Sequence, residues 1–161
     1  MPFAHVPKRL LSGLIELERS LEEGAIEAAL RELVRTRVSQ MNGCAYCVDM
    51  HSKEAAAAGV TREQLRALEG WRESSVFSAR ESAALAWAEA LAEDPGSNTT
   101  DGLWSRTIAE FDDDAIVELT TLVGAIGVWN RVAIACGWKP GTYRVGMHGM
   151  LLAARRDAHG G

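Results

Sequence analysis

Four residues near the start of this chain carry side chains that can do chemistry together: Glu32, Cys44, Cys47 and His51. Cys44 and Cys47, in Gly43-Cys44-Ala45-Tyr46-Cys47, can close a disulfide within one turn of backbone. A thiolate beside an imidazole is both a nucleophile and a metal ligand. Asn42-Gly43 reads as the end of one helix and Cys44 as the opening of the next. At roughly 100° per residue, Cys44 and Cys47 then lie about 60° apart with His51 between them in projection. The unpaired N–H groups and positive dipole end of that first turn favour thiolate over thiol, whose ordinary pKa is about 8.5.

Glu32 is placed by the preceding helix, expected over 26–41. Ile26, Leu30, Leu33, Val34, Val38 and Met41 form its apolar stripe, and Glu27, Arg31 and Arg35 a charged face. Glu32 belongs to neither. Its sector holds Ala25, Ala28, Ala29, Thr36 and Ser39, small residues that admit a neighbouring helix, so a half-buried carboxyl with a pKa raised by desolvation is expected. Each residue alone has a plainer reading. A Cys-x-x-Cys also serves as half of a zinc site or as an incidental pair, a lone histidine sits on a helix surface or in a core, and a lone glutamate is solvated or salt-bridged. No further ligand completes a zinc set nearby, since Cys136 is remote and His5, His148 and His159 lie near the termini. The coincidence of the four residues carries the weight.

The arrangement Glu-x11-Cys-x2-Cys-x3-His, from Glu32 to His51, resembles the core of the AhpD-like alkylhydroperoxidases of the carboxymuconolactone decarboxylase superfamily. The likeness is specific over about 26–60 and extends over most of the chain. It implies an all-α fold, a thiol-dependent peroxidase activity and assembly into homotrimers or homohexamers. Cys47 would be the peroxidatic cysteine that becomes a sulfenic acid, and Cys44 would donate a proton and then resolve it as a disulfide. Glu32 and His51 would form the proton relay that deprotonates Cys47. The founding members carry a second histidine immediately before the second cysteine, where this chain has Tyr46. Helix-dipole reasoning alone would activate Cys44 more than Cys47, whereas the i, i+4 spacing from Cys47 to His51 favours Cys47. The decarboxylase branch of the superfamily works without a redox-active cysteine pair, so Cys44 and Cys47 point to the redox branch.

With 161 residues, 47% of them apolar and 24% charged, the chain is long enough to bury a sizeable core as one domain spanning 1–161. A net charge of −5 offers no general attraction to nucleic acid or to an anionic membrane. The N-terminal residues form no continuous apolar segment of the kind that directs export, and three cysteines without such a signal imply a reducing, cytoplasmic setting in which a disulfide is transient and catalytic. The apolar stretch 115–135 raises the question of a membrane span, but Glu118, Asn130 and Arg131 interrupt it and two glycines lie inside, so a buried or interfacial helix is expected.

No run of alternating residues reads as a strand, and helical spacing recurs throughout, which predicts an all-α domain of about six to eight helices. The expected order is a helix over 8–23, the Glu32 helix, and the cysteine helix closed by Gly59. Thr61 and Ser78 then open helices through capping boxes, reaching about Glu69 and Glu93. After a loop over 94–100, Asp101 is expected to cap a helix to about Phe111, and Asp112 or Asp113 the long apolar helix ending near Cys136-Gly137. The tail from Trp138 should be irregular, with a short helix over 151–156 and a frayed end. The tryptophans read as packing residues. Arg37, inside the apolar stripe, should pair with a buried carboxylate or a neighbouring chain, and Asn130-Arg131 could face the site, another subunit, a cap or a buried ion pair.

Three functions compete on this reading. The first is reduction of hydrogen peroxide or an organic hydroperoxide through a Cys47 sulfenic acid and a Cys44–Cys47 disulfide, restored by a low-molecular-weight thiol or a dithiol protein, with no cofactor or metal. The second is a disulfide reductase or adaptor that passes electrons to a separate peroxidase. The third is a structural or regulatory helical oligomer binding zinc through Cys44, Cys47 and His51.

Overall fold

The computed structural model describes residues 6–94, 96 and 100–147. Among them lie seven α-helices: α1 (Lys8–Glu22), α2 (Ala28–Met41), α3 (Ala45–Ala57), α4 (Arg62–Ala67), α5 (Ala79–Glu93), α6 (Asp101–Ile108) and α7 (Asp113–Cys136). The all-α expectation holds. The terminal helix expected over 151–156, and His5, His148 and His159, lie outside the described residues.

The helix starts follow their capping chemistry. Thr61 and Ser78 each accept from the backbone N–H of the third helical residue, Gln64 and Glu81, whose side chains accept in return from the capping residue's own N–H. Asp112 caps α7 through Ala115 N–H, and Gly137 closes it with φ of 66°, a left-handed conformation that a residue without Cβ adopts freely. Helix α2 begins at Ala28, two residues after its expected start, and both ends of α6 differ from expectation. Thr100 caps α6 in place of Asp101, and α6 stops at Ile108, because the N–H groups of Glu110 and Phe111 both turn back to Thr107 O. The helix opened by Thr61 tightens after Ala67 into a 3-10 segment, Leu68–Glu73, that buries Leu68 and Trp71.

Helix α2 lies at the centre, packed against α3, α5 and α7, and its stripe residues Leu33, Val34 and Val38 are essentially inaccessible to solvent. Helix α5 is buried on nearly every side from Ala83 to Ala90, which its alanines permit because they let neighbouring backbones approach closely. Helix α7 is long and apolar enough to meet the length and composition of a membrane span, yet it packs against α1, α2, α3, α5 and α6 and buries Leu119, Leu122 and Ile126. It is a core helix. Arg37 pairs with the buried carboxylate of Glu89 at 2.5 Å, as its place in the stripe requires.

Candidate active site

The cysteine motif is held at the junction of α2 and α3. Gly43 carries φ of 69°, and the N–H groups of Gly43 and Cys44 turn back to Gln40 O and Ser39 O at 3.1 and 3.0 Å, which reverses the chain within one turn. Helix α7 locks this corner from below. Asn130, fully buried, donates to Ser39 Oγ at 2.9 Å and accepts from Asn42 Nδ2 at 2.9 Å. The structure gives Asn130 a role not among those open to it on sequence: a polar clamp that fixes where α3 begins.

Cys44 stands at the N-cap of α3, its sulfur accepting from Cys47 N–H at 3.3 Å, and Cys47 sits in the first turn. The two are joined in a disulfide with Cα atoms 5.3 Å apart. Both are buried, at 1% and 3% exposure, in a small cluster with Ala133 of α7 against which Tyr46 and Trp138 pack. The Tyr46 and Trp138 rings meet edge to face with centroids 5.4 Å apart. Tyr46 thus walls the sulfurs where the founding relatives place a histidine, and partial burial, with Asp49 nearby, raises its hydroxyl pKa, away from proton exchange at neutral pH.

His51 lies one turn beyond Cys47 on α3, and its Nδ1 meets Glu32 Oε2 at 2.7 Å. Both residues are buried, at 5% and 8% exposure. Glu32 differs from the sequence expectation on two counts, being nearly enclosed and carrying a lowered pKa. Burial pushes its carboxyl upward, but His51 and the Arg35 guanidinium outweigh that and hold it at about 2. Glu32 is therefore a fixed anion at neutral pH. An ionised carboxylate only accepts, so Nδ1 carries a proton and, in the neutral ring, Nε2 is left as the acceptor.

Arg35 is the residue that sequence reasoning misplaced. Read as part of a charged face apart from Glu32, it is 3% exposed and bridges Glu32 Oε1 and Glu18 Oε2, each at 2.5 Å. Glu18 in turn accepts from Trp129 Nε1 at 2.9 Å. A signal for Glu18 exists in the sequence: it falls with Leu11, Ile15 and Leu21 on the buried face of α1, where a carboxylate must find a partner. On its other side the Glu32–His51 pair borders a cleft of about 320 Å³ lined also by Glu22, Arg31, Arg35, Met50 and Glu54. The tail after α7 docks on this side of α3, with Tyr143 O–H bonded to Glu54, Gly146 N–H to the same carboxylate at 2.8 Å and Gly141 N–H to Asp49 at 3.0 Å. Among the described residues no group of three His, Cys, Asp or Glu side chains is disposed to hold a metal ion.

A helical bundle with a cysteine pair capping one helix and a buried carboxylate–imidazole pair one turn away defines an AhpD-like dithiol protein. The chain belongs to the carboxymuconolactone decarboxylase family, whose pattern matches residues 8–90. It is 36% identical to the uncharacterized protein YdfG of Bacillus subtilis over 124 residues, 77% of this chain and 84% of that one. Among solved structures it superposes with a TM-score of 0.83 on a protein of unknown function from Agrobacterium tumefaciens, described as a candidate AhpD antioxidant defence protein, at 30% identity and covering 89% of this chain and 98% of that one. An uncharacterized peroxidase-related protein with an AhpD core from Ralstonia eutropha shares the fold with a TM-score of 0.73 at 17% identity, over 81% of this chain and 70% of that one.

Proposed function

We propose that this protein is a thiol-dependent peroxidase that reduces hydrogen peroxide or an organic hydroperoxide in a reducing, cytoplasmic setting. The observation that carries the reading is the joint placement of a Cys44–Cys47 disulfide at the N-terminus of α3 and a histidine on the same helix whose Nδ1 is engaged by an ionised carboxylate. In the reduced protein, neutral His51 takes the Cys47 proton, and the thiolate attacks one oxygen of the O–O bond. The S–O bond forms as the O–O bond breaks, sulfur is oxidised to sulfenic acid, and the departing alkoxide leaves as the alcohol after taking a proton from Cys44 or His51. Cys44 thiolate then attacks the Cys47 sulfur, closing the disulfide and releasing water. Two electrons and two protons from a low-molecular-weight thiol or a dithiol protein restore both thiols.

Glu32 has an orienting role in this scheme, because a carboxyl held near 2 does not take a proton at neutral pH. The near-complete burial of both sulfurs favours small reaction partners, a peroxide over the exposed disulfide of another protein and, of the two reductants, the low-molecular-weight thiol, and so favours direct peroxide turnover over an adaptor role. We infer a homotrimer or homohexamer, supported by the exposed apolar residues Val117, Val128 and Ile134 on α7, with half-buried Cys136 near such an interface. Stopped-flow consumption of hydrogen peroxide and of cumene hydroperoxide by the reduced protein tests the function. Wild-type protein should consume one equivalent per dithiol and Cys47→Ser none; equal rates in both would refute the assignment.

A further inference from the structure

Four buried side chains from three helices form one chain of hydrogen bonds that ends on the imidazole of the site. Glu18 of α1, Arg35 and Glu32 of α2 and His51 of α3 are each less than a tenth exposed. Arg35 donates through Nη2 to Glu18 Oε2 and through Nη1 to Glu32 Oε1, each at 2.5 Å. The remaining oxygen of Glu32 meets His51 Nδ1 at 2.7 Å, and the remaining oxygen of Glu18 accepts from Trp129 Nε1 of α7 at 2.9 Å. Every carboxylate oxygen in the chain therefore has a partner. The guanidinium is planar and its two donors are fixed relative to one another, so anchoring Nη2 on Glu18 fixes the direction from which Nη1 meets Glu32 Oε1. With Oε1 held there, Oε2 is the oxygen that meets His51 Nδ1.

We propose that Arg35, held by Glu18, is a positioning residue of the dithiol site: it fixes the Glu32 carboxylate so that His51 keeps its proton on Nδ1 and presents Nε2 as the acceptor for the Cys47 proton. The consequence for turnover rests on the peroxidase reading; the consequence for the imidazole does not. The charge count supports the assignment. Two carboxylates stand against one guanidinium in the buried group, and a proton received by His51 brings the count level. Glu22 of α1, Arg31 of α2 and Glu54 of α3 border the same cleft and complete the charged surroundings of the pair.

The experiment compares reduced wild type, Arg35→Lys, Glu18→Gln, Glu32→Gln and the double variant Arg35→Lys/Glu32→Gln, each checked for folding by circular dichroism. Lysine keeps the charge but lacks the planar fork, and glutamine keeps the shape of Glu18, so each is the mildest change at its position and either one that folds tests the proposal. Imidazole ¹⁵N chemical shifts of His51 report which ring nitrogen is protonated, and the pH profile of iodoacetamide alkylation of Cys47 reports the consequence for the thiol. We expect a single Nδ1–H form in wild type and a mixture with Nε2–H in Arg35→Lys and Glu18→Gln, with alkylation at pH 7 slowed on the order of 10–100-fold. Arg35→Lys should slow Glu32→Gln no further. Retention of the wild-type tautomer and profile in each of these two single variants that folds overturns the proposal, as does an undiminished loss on top of Glu32→Gln, which would show that Arg35 acts by another route. If wild-type protein consumes no peroxide while the tautomer still responds to Arg35→Lys, the peroxidase reading fails and the positioning role stands.

Discussion

Replacing Glu32 by glutamine should remove a stabilisation whose dependence on pH follows from the site. The folded carboxyl titrates at about 2 against an ordinary 4.5, because His51 and Arg35 overcome the upward push of burial. A group depressed in the folded state contributes stability that is fully present above the unfolded value and is lost as pH falls toward the folded one. At roughly 1.4 kcal/mol for each pH step between the two values, the contribution near pH 7 is about 3 kcal/mol, and about 2 kcal/mol of it is gone by pH 3. Urea unfolding of oxidised wild type and Glu32→Gln, from pH 5 to pH 3, isolates this term, since that window begins below the ordinary imidazole range and the carboxylates away from the site titrate alike in both proteins. With slopes of about 1–3 kcal/mol/M for urea, the gap between the two midpoints should narrow by about 1 M over that range. A gap that stays constant, or that widens toward acid, would refute the conclusion that Glu32 is held ionised.

Three further outcomes follow from the corner that carries the cysteines and from the long helix. Asn130→Ala deletes two hydrogen bonds at 2.9 Å and leaves buried Ser39 without one of its partners, so chemical denaturation should show a loss of roughly 2 kcal/mol. Gly43→Ala meets no atom within 4 Å but must hold φ of 69°, so it should destabilise by about 1–2 kcal/mol from backbone conformation alone, read as a lowered Tm with an unchanged far-UV spectrum. Sedimentation equilibrium at micromolar concentration should find a trimer or hexamer, and a monomer would contradict the reading of Val117, Val128 and Ile134 as interface residues.

The helices and the grouping of Cys44, Cys47 and His51 were legible because their signals are local. Cys44, Cys47 and His51 share one helix, Gly43 marks the turn before it, and the capping boxes at Thr61 and Ser78 declare their own helix starts. Arg37 announced a buried partner by lying inside an apolar stripe, and Glu89 is that partner. Arg35 gave no such sign. It lies beside Glu27 and Arg31 on the helical wheel, and only the approach of α1, which brings Glu18 to 2.5 Å, buries Arg35 while Glu27 on the same face stays exposed. The direction of the Glu32 pKa was misjudged for the same reason. Desolvation is readable from neighbouring small residues, whereas a guanidinium three residues away counts only once its side chain is known to fold back onto the carboxylate. Asn130 and Ser39 are 91 positions apart in sequence, so their hydrogen bond belongs to the packing of α2 on α7.

The most direct test of the account is to trap the first oxidised species. Reduced Cys44→Ser protein, treated with one equivalent of hydrogen peroxide in the presence of dimedone and digested for mass spectrometry, should carry the sulfenic acid adduct on Cys47, while wild type treated without dimedone should yield the Cys44–Cys47 crosslinked peptide. An unlabelled Cys47 in the first sample, together with an adduct on Cys44 in a matching Cys47→Ser sample, would contradict the assignment of Cys47 as the residue that meets the peroxide.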